Sequence, residues 1–231
     1  MPTTVETEKR LAGEKAAEFV ENGMIVGLGT GSTVAFVLQA LARRVQDGLR
    51  IQGIPTSEAT AKLAGELGIA LTNFEHTTSC DLVIDGADEV DTNLNLIKGG
   101  GGALLHEKIV ASSARQLIII VDSHKLVEKL GKFHLPIEVI RFAAPLVHRK
   151  VADIGGQAKL RTLSNGEPFI TDEGNYILDC DFGLIDNPSK LAAQLESIPG
   201  IVEHGLFVNY ANKVIVGRGE TTEILFNGSV G

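Results

Sequence analysis

One short stretch of the chain, NLIKGGGGALLHEK, contains residues of three chemical kinds. Lys98 precedes the four consecutive glycines Gly99–Gly102, and Glu107 follows on a helix-like run. Glycine tolerates positive φ and lets backbone N–H groups approach a ligand closely, and a helix start adds further donors. Glu107 lies about one turn into the predicted helix, so its carboxylate can point back toward the loop. The stretch predicts an anion-binding loop, a cation and a base; the alternative is a flexible surface linker.

A second group of chemical residues follows a short apolar strand. Leu82–Ile84 is predicted to be buried, and Asp85, Gly86, Ala87 and Asp88 come directly after it. Ligands of open α/β sheets bind outside the carboxyl ends of the strands, so both carboxylates can turn into one pocket. Carboxylates there can hold sugar hydroxyl groups or transfer protons. Two alternatives remain open at this point, a Mg²⁺ site and a solvated acidic turn.

Residues Met24–Thr33 combine a strand, a glycine-rich turn and the start of a helix. Ser32 or Thr33 is expected to be the N-cap of that helix, and such a turn can bind phosphate. The dinucleotide fingerprint is incomplete, because Val34 stands where its third glycine belongs, and no Lys-Ser/Thr pair marks a Walker A loop. The turn favours a phosphomonoester on a small ligand; the alternative is a purely structural βα turn.

Two lysines are candidates for contact with such a phosphate. The apolar run Leu117–Val121 predicts a buried parallel strand, and Lys125 lies just beyond its carboxyl end. Lys9 lies on the predicted first helix. For both residues the alternative is an ordinary solvated lysine. The six histidines show no metal spacing and no G-x-S-x-G nucleophile elbow is present, so we predict a site without a metal or another cofactor.

The hydrophobic pattern predicts an α/β fold with a Rossmann-like, mostly parallel sheet flanked by helices. Strands are expected at 24–26, 49–54, 69–74, 82–84, 117–121 and 214–216, and helices at 6–21, 34–45, 57–67 and 103–114. The region 135–206 predicts a smaller α+β domain with the ferredoxin-like order βαββαβ. We therefore expect a catalytic domain of residues 1–134 and 207–231, and a small domain of residues 135–206 in oligomer assembly.

The composition argues against several classes of protein. The net charge of −8 over 231 residues argues against a nucleic-acid surface. No apolar run approaches the about 18 residues of a membrane span, and the N-terminus lacks a signal-type apolar region. Cys80 and Cys180 lie far apart and are expected to be reduced, which indicates a cytoplasmic protein.

Aldose–ketose isomerisation of a phosphorylated polyol would use all of these groups. The reaction needs a base that moves a proton between adjacent carbons, and a cation or hydrogen-bond donors that stabilise the enediolate oxygen. Glu107 can be the base, and Lys98 with the glycine amides can be the stabiliser. No redox cofactor is required.

Five segments, GLGTGST, DGADEVD, KGGGGALLHEK, LGKFHLPIEVI and IPGIVEHGLF, together resemble the A type of ribose-5-phosphate isomerase. The resemblance runs through nearly the whole chain. It implies interconversion of D-ribose 5-phosphate and D-ribulose 5-phosphate in the non-oxidative pentose phosphate pathway. It also implies an enediol mechanism without a metal, and a homodimer or homotetramer.

The resemblance implies roles for individual residues. Glu107 matches the family's catalytic base, and Lys98 matches the lysine that opens the glycine loop. Asp85 and Asp88 match carboxylates that contact sugar oxygens and assist ring opening or proton transfer. The implied substrate-binding residues are Lys9, Thr30, Gly31, Ser32, Thr33, Gly86, Ala87, Gly99, Gly100, Gly101 and Lys125.

Two other kinds of function stay open from the sequence. Another enzyme of the same fold group would be an amino-sugar-phosphate isomerase/deaminase, or a CoA transferase with a glutamate nucleophile. A non-enzyme alternative is a sugar-phosphate-sensing module. Such modules are usually attached to a DNA-binding segment, and the acidic charge balance and the early first strand near Met24 speak against one.

Overall fold

The computed structural model describes residues 4–226. Its α-helices in this range are α1 (Thr4–Ala17), α2 (Ser32–Gln46), α3 (Glu58–Glu66), α4 (Leu104–Ser112), α5 (Ala144–Asp153) and α6 (Pro188–Glu196). Its strands are β1 (Ile25–Leu28), β2 (Gln52–Pro55), β3 (Leu82–Gly86), β4 (Glu89–Val90), β5 (Leu96–Ile97), β6 (Leu117–Asp122), β7 (Leu135–Val139), β8 (Gln157–Leu160), β9 (Tyr176–Asp181), β10 (Ile201–His204), β11 (Leu206–Phe207), β12 (Lys213–Arg218) and β13 (Thr221–Phe226). The outermost parts of the predicted catalytic domain, 1–3 and 227–231, lie outside the described residues.

The chain divides into two compact units. The first consists of Met1–Ala87, His106–Leu126 and Asn209–Gly231, and the second of Asp88–Leu105 and Val127–Val208. These limits place residues 88–105, 127–134 and 207–208, which the sequence assigned to the catalytic domain, in the second unit. The reason is local pairing, because β4 and β5 form a small sheet with β11.

A six-stranded sheet in the order β13-β12-β6-β3-β1-β2 forms the centre of the first unit. Neighbouring strands are parallel except β12 and β13, which form an antiparallel hairpin. Strand β6 is buried at every residue, as its continuous apolar sequence predicts for a strand inside a parallel sheet. The predicted Rossmann-like architecture is confirmed.

The core of the first unit forms between the sheet and its helices. The apolar residues of α2 recur at helical spacing, so one face of the helix is apolar and packs into the core. The buried residues of α2 are Val34, Val37, Leu38, Ala40, Leu41 and Ala42. A Cβ at Gly27 would lie 2.4 Å from the Val83 side chain, so glycine lets β1 and β3 pack closely. This packing fixes the carboxyl ends of β1 and β3, where the polar residues lie.

The second unit contains a four-stranded antiparallel sheet in the order β10-β7-β9-β8, together with α5 and α6. The predicted order βαββαβ is confirmed. Its core includes Ile137 and Val139 from β7 and Val147 and Val151 from α5. The three-stranded sheet β11-β5-β4 was not predicted, because each of its strands is two residues long.

Two predictions about elements are wrong in part. The strand expected at 69–74 is reduced to a single bridge between Gly53 and Leu71. The first helix ends at Ala17 rather than at residue 21. The strand expected at 214–216 is confirmed as part of β12. The strand that follows it, β13, was not predicted, because its sequence TTEILF shows no clear alternation.

Candidate active site

The turn after β1 is organised by the carboxylate of Asp85, which lies on the neighbouring strand β3 and is 1% exposed. Its Oδ1 accepts hydrogen bonds from the backbone N–H groups of Thr30 at 3.1 Å and Gly86 at 2.7 Å. A Cβ at Gly29 would lie 2.1 Å from the same oxygen, so glycine is required there. Gly86 and Ala87 are half-buried beside Asp85. The glycine-rich turn and the end of β3 therefore form one structural group.

The hydroxyl group of Thr30 belongs to a cluster at the start of α3. Its Oγ1 lies 2.7 Å from Thr56 Oγ1, 2.9 Å from Ser57 Oγ and 3.2 Å from Thr60 Oγ1. Thr60 in turn donates to the Gly29 carbonyl at 2.8 Å. These contacts fix the turn and occupy the Thr30 hydroxyl group. That Thr30 binds substrate stays a prediction, which is based on the position of Thr30 in the glycine-rich turn. Sequence reasoning missed Thr60, which lies three residues beyond Ser57 on the helix.

The first turn of α2 combines backbone donors with a lysine. Gly31, at φ +118°, is the N-cap and provides no side-chain cap, so the prediction of Ser32 or Thr33 as the N-cap is wrong. Gly31 and Ser32 are exposed and Thr33 is half-buried. Lys9 Nζ donates to Ser32 Oγ at 3.0 Å. A cation beside the positive end of a helix is an arrangement that suits a phosphate.

Lys125 lies half-buried in the 3₁₀ turn after β6. That turn is tied to α1 by Glu8, whose carboxylate accepts the Ser123 N–H at 3.0 Å, the Ser123 hydroxyl at 2.9 Å and the Gly219 N–H at 2.8 Å. Burial opposes ionisation, but these hydrogen bonds outweigh it and lower the pKa of Glu8. One carboxylate thus positions the segments that carry Lys9 and Lys125. Sequence reasoning missed Glu8, because an acidic residue on a first helix is usually solvated.

Glu8, Asp122 and His124 bring three groups that could bind a metal within 4.8 Å of one another, and among the described residues no other such group occurs. Asp122 Oδ1 accepts the His124 N–H at 3.1 Å, and both oxygens of Glu8 accept hydrogen bonds from the protein. These hydrogen bonds explain why the three side chains lie together without a metal: they join α1 to the turn after β6. The absence of a metal from the mechanism stays a prediction.

Glu107 lies in the first turn of α4 and is 5% exposed. An ionised carboxylate is stabilised at the positive end of a helix. Its neighbour His106 lines a cavity of about 300 Å³ with Phe74 and Ile109. Glu107 belongs to the first unit, as do the phosphate-binding candidates described above.

The four glycines form a loop in the second unit whose ends are buried and whose middle is exposed. Gly99 and Gly102 have φ values of +100° and +83°, a region that favours glycine. A Cβ at Gly102 would lie 2.4 Å from the ring of Phe169, a residue that sequence reasoning missed. Gly100 and Gly101 are the exposed residues. The loop therefore presents its middle to solvent.

Asp88 and Lys98 lie next to this loop in the same unit. Asp88 Oδ2 accepts the Gly100 N–H at 2.7 Å, and the Asp88 N–H donates to the Ile97 carbonyl at 2.8 Å. Lys98 is 3% exposed, and its Nζ lies 5.6 Å from the centroid of the Phe207 ring. The second unit thus brings together Asp88, Lys98 and the glycine loop.

The fold and these polar groups define an α/β enzyme. Residues 52–221 match the family described as ribose 5-phosphate isomerase A (phosphoriboisomerase A). The chain is 49% identical over 224 residues to ribose-5-phosphate isomerase A of Parvibaculum lavamentivorans, covering 94% of this chain and 97% of that relative. It is 52% identical over 211 residues to the protein of that name from Roseiflexus castenholzii, covering 90% of each. The chain belongs to the ribose 5-phosphate isomerase A family.

Solved structures agree with this assignment. A structure of D-ribose-5-phosphate isomerase in complex with phospho-erythronic acid matches with a TM-score of 0.93 at 41% identity, covering 96% of this chain and 99% of that one. Ribose 5-phosphate isomerase A from Neisseria gonorrhoeae matches with a TM-score of 0.91 at 38% identity, covering 98% and 99%. The predicted fold class and the resemblance stated from the sequence are confirmed.

Proposed function

We propose that the chain interconverts D-ribose 5-phosphate and D-ribulose 5-phosphate through an enediol or enediolate intermediate. The observation that carries the proposal is the family match, supported by relatives of that name that are 49% and 52% identical over 94% and 90% of the chain. The amino-sugar-phosphate isomerase/deaminase and the CoA transferase are not favoured, because these relatives carry the isomerase name.

The base of this reaction is Glu107. Isomerisation removes the proton from C2 of the aldose and returns it to C1 of the ketose, so one base must reach both carbons. Glu107 is buried in the first turn of a helix, which limits the positions of its carboxylate and excludes solvent from it. The same carboxylate then serves the forward and the reverse reaction.

Negative charge on the enediolate oxygen is stabilised by Lys98 and the glycine loop. Such charge is stabilised most by donors that are already in place before the reaction. Support comes from the buried side chain of Lys98 and from the exposed middle of the loop, whose backbone a substrate can reach. Because the Gly100 N–H donates to Asp88, Gly100 contributes through the shape of the loop, and Gly101 is the better candidate for a backbone donor.

The phosphate is held by the first turn of α2, with Ser32, Thr33, Lys9 and Lys125. Support comes from the uncapped helix start and from the contact between Lys9 and Ser32. A relative has been solved with phospho-erythronic acid. We propose that this phosphorylated acid binds the present chain too, because its carboxylate resembles an enediolate in shape and charge.

Asp85 and Asp88 contact the sugar oxygens and assist ring opening or proton transfer. Support comes from their places, one buried at the end of β3 and the other beside the exposed middle of the glycine loop. Each carboxylate also holds a backbone segment in place, so both residues have a structural role besides the proposed chemical one.

The pathway, the location and the assembly of the chain belong to the same proposal. The isomerase would act in the non-oxidative pentose phosphate pathway, in the cytoplasm, as a homodimer or homotetramer assembled through the second unit. None of the described helices has the length and apolarity needed to cross a membrane. Light scattering on the purified chain distinguishes these oligomers from a monomer, and a monomer would contradict the assembly proposal.

The proposed function is tested by assaying conversion of ribose 5-phosphate to ribulose 5-phosphate in the presence of EDTA. Wild type should turn over, and Glu107→Gln should lose about 100-fold or more of kcat, since an amide cannot accept the proton. Phospho-erythronic acid should still bind the variant. The matched control is Glu66→Gln, an exposed glutamate on α3 in the same unit, which should retain wild-type turnover.

Three outcomes would change this proposal. Wild-type turnover in Glu107→Gln would show that the base is misassigned. A loss of activity in EDTA that Mg²⁺ restores would return the metal-site interpretation of Asp85 and Asp88. No turnover by wild type would direct the search to ammonia release from amino-sugar phosphates, and to trapping of a glutamyl thioester as a hydroxamate.

A further inference from the structure

Arg161, just beyond β8, lies against the glycine loop and pairs with a carboxylate on the next strand. Its Nε donates to Asp179 Oδ2 at 3.0 Å, and its Nη2 donates to Asp179 Oδ1 at 2.5 Å. The two side chains are 14% and 26% exposed. A bidentate pair of this kind fixes the plane of the guanidinium group. Arg161 is therefore held in one orientation by β9.

The remaining edge of this guanidinium group faces the glycine loop. Nη1 donates to the carbonyl oxygen of Gly99 at 2.9 Å and to that of Gly100 at 3.2 Å. The guanidinium carbon also lies 5.8 Å from the centroid of the Phe169 ring, and that ring occupies the space over Gly102. Arg161 and Phe169 thus form one support beneath the loop.

Two successive peptide groups of the loop are aligned by these bonds. The Gly99 carbonyl and the Gly100 N–H belong to one planar trans peptide and point in opposite directions. Arg161 holds the carbonyl end of this peptide, and Asp88 holds the N–H end. The next peptide has its Gly100 carbonyl on the same arginine nitrogen, so the Gly101 N–H also points away from Arg161.

We infer that Arg161, oriented by Asp179, is a positioning residue for the reaction, because it aims the Gly101 N–H toward the side of the loop where Asp88 lies. This inference rests on the proposed function, in which the glycine loop stabilises the enediolate. Glycines lose more conformational freedom on ordering than other residues, so four in a row need outside contacts to hold one geometry. A cavity of about 800 Å³, lined by Gly100, Arg161 and Asp179, adjoins the loop on the side where Arg161 lies. Packing alone therefore does not hold the loop on that side.

The test replaces Arg161 with lysine, which keeps the charge but cannot reproduce the fork to Asp179 and the two carbonyls. The matched control is Arg141→Lys in the same unit. Arg141 also donates to a glycine carbonyl, that of Gly174, and lies 5.4 Å from an aromatic ring, that of Tyr176. The control therefore loses similar interactions without touching the glycine loop.

Two readouts are expected to move in Arg161→Lys and to stay at wild-type values in the control. Amide hydrogen exchange at Gly100 and Gly101 should be faster, because the loop is less ordered. For ribose 5-phosphate, kcat should fall about tenfold or more while KM changes by less than about threefold, since small misplacements of stabilising groups act mainly on the transition state. Asp179→Asn should show the same pattern more weakly, and it serves if Arg161→Lys does not fold.

Exchange at the loop is measured without substrate. It therefore tests whether Arg161 orders the glycine loop even if wild type does not convert ribose 5-phosphate. Exchange rates at Gly100 and Gly101 that equal those of wild type in Arg161→Lys and in Asp179→Asn would overturn the inference. Faster exchange with unchanged kcat would reduce Arg161 to a purely structural residue and also overturn it. A rise in KM alone would do the same, because it would assign Arg161 to ground-state binding.

Discussion

Replacing Glu8 with glutamine removes the charge from a buried carboxylate that joins α1 to two other segments. Glu8 is 4% exposed and accepts hydrogen bonds of 2.8–3.0 Å from Ser123 and Gly219. Hydrogen bonds to a charged group contribute about 1.5–3 kcal/mol each, and the amide oxygen can still accept part of the set. We therefore expect Glu8→Gln to lower the free energy of unfolding at pH 7 by about 2–4 kcal/mol.

The effect of this substitution has a defined pH dependence. The hydrogen bonds lower the pKa of Glu8 in the folded chain below the ordinary value of 4.5. Ionised Glu8 therefore stabilises the fold fully above that ordinary pKa, and the stabilisation is lost as the pH falls through the folded-state pKa. Glutamine does not titrate. The difference in unfolding free energy between wild type and variant should be largest near neutral pH and should shrink in acid.

Urea unfolding of both proteins, in steps from pH 7 down to about pH 3, measures this difference directly and covers the pH range below the ordinary pKa of Glu8. The control is Glu14→Gln on the same helix, whose carboxylate is 36% exposed and pairs with Arg10 at 2.8 Å and with Arg43 at 3.3 Å. A surface pair of this kind contributes less than about 1 kcal/mol. A difference between wild type and Glu8→Gln that stays constant or grows as the pH falls would refute the reasoning, as would equal effects of the two substitutions.

Two further substitutions test the proposed phosphate-binding residue Lys125 and the packing of the turn after β1. Lys125→Ala should raise KM for ribose 5-phosphate more than it lowers kcat, because the phosphate is held alike in the ground and transition states. Steady-state kinetics measure both, and a loss confined to kcat would place Lys125 in the chemistry. Gly29→Ala should lower thermal stability and turnover together, because the new Cβ would lie 2.1 Å from Asp85 Oδ1. An alanine variant as stable and as active as wild type would contradict that packing argument.

The parts of the structure that follow local patterns could be predicted from the sequence. The apolar run of β6 and the helical spacing in α2 each encode one element through the side chains of that element alone. The N-cap of α2 was misassigned because Ser32 has the right chemistry for a cap. The helix instead begins one residue earlier than a Ser32 cap requires, at Ser32 itself, with Gly31 at positive φ as the N-cap.

The residues that hold the site in place could not be predicted, because their partners are distant in sequence. Glu8 bonds to residues 115 and 211 positions away, and Arg161 bonds to a loop about 60 positions away. Neither residue is part of a recognisable motif. A single glutamate or arginine in a sequence is usually a solvent-exposed charged residue. Their roles depend on which segments the fold places next to them.

Asp85 and Asp88 each hold a backbone segment in place, and this affects how the kinetics of their variants are interpreted. A Cβ at Gly29 would lie 2.1 Å from Asp85, and one at Gly100 would lie 2.5 Å from Asp88. Each carboxylate thus packs against a glycine and also accepts backbone N–H bonds, Asp85 in the first unit and Asp88 in the second. Alanine at either position would remove the hydrogen-bond acceptor together with the charge, so a loss of turnover would combine a disordered loop with missing chemistry. Asparagine keeps an acceptor oxygen of similar placement, and it therefore isolates the contribution of the charge.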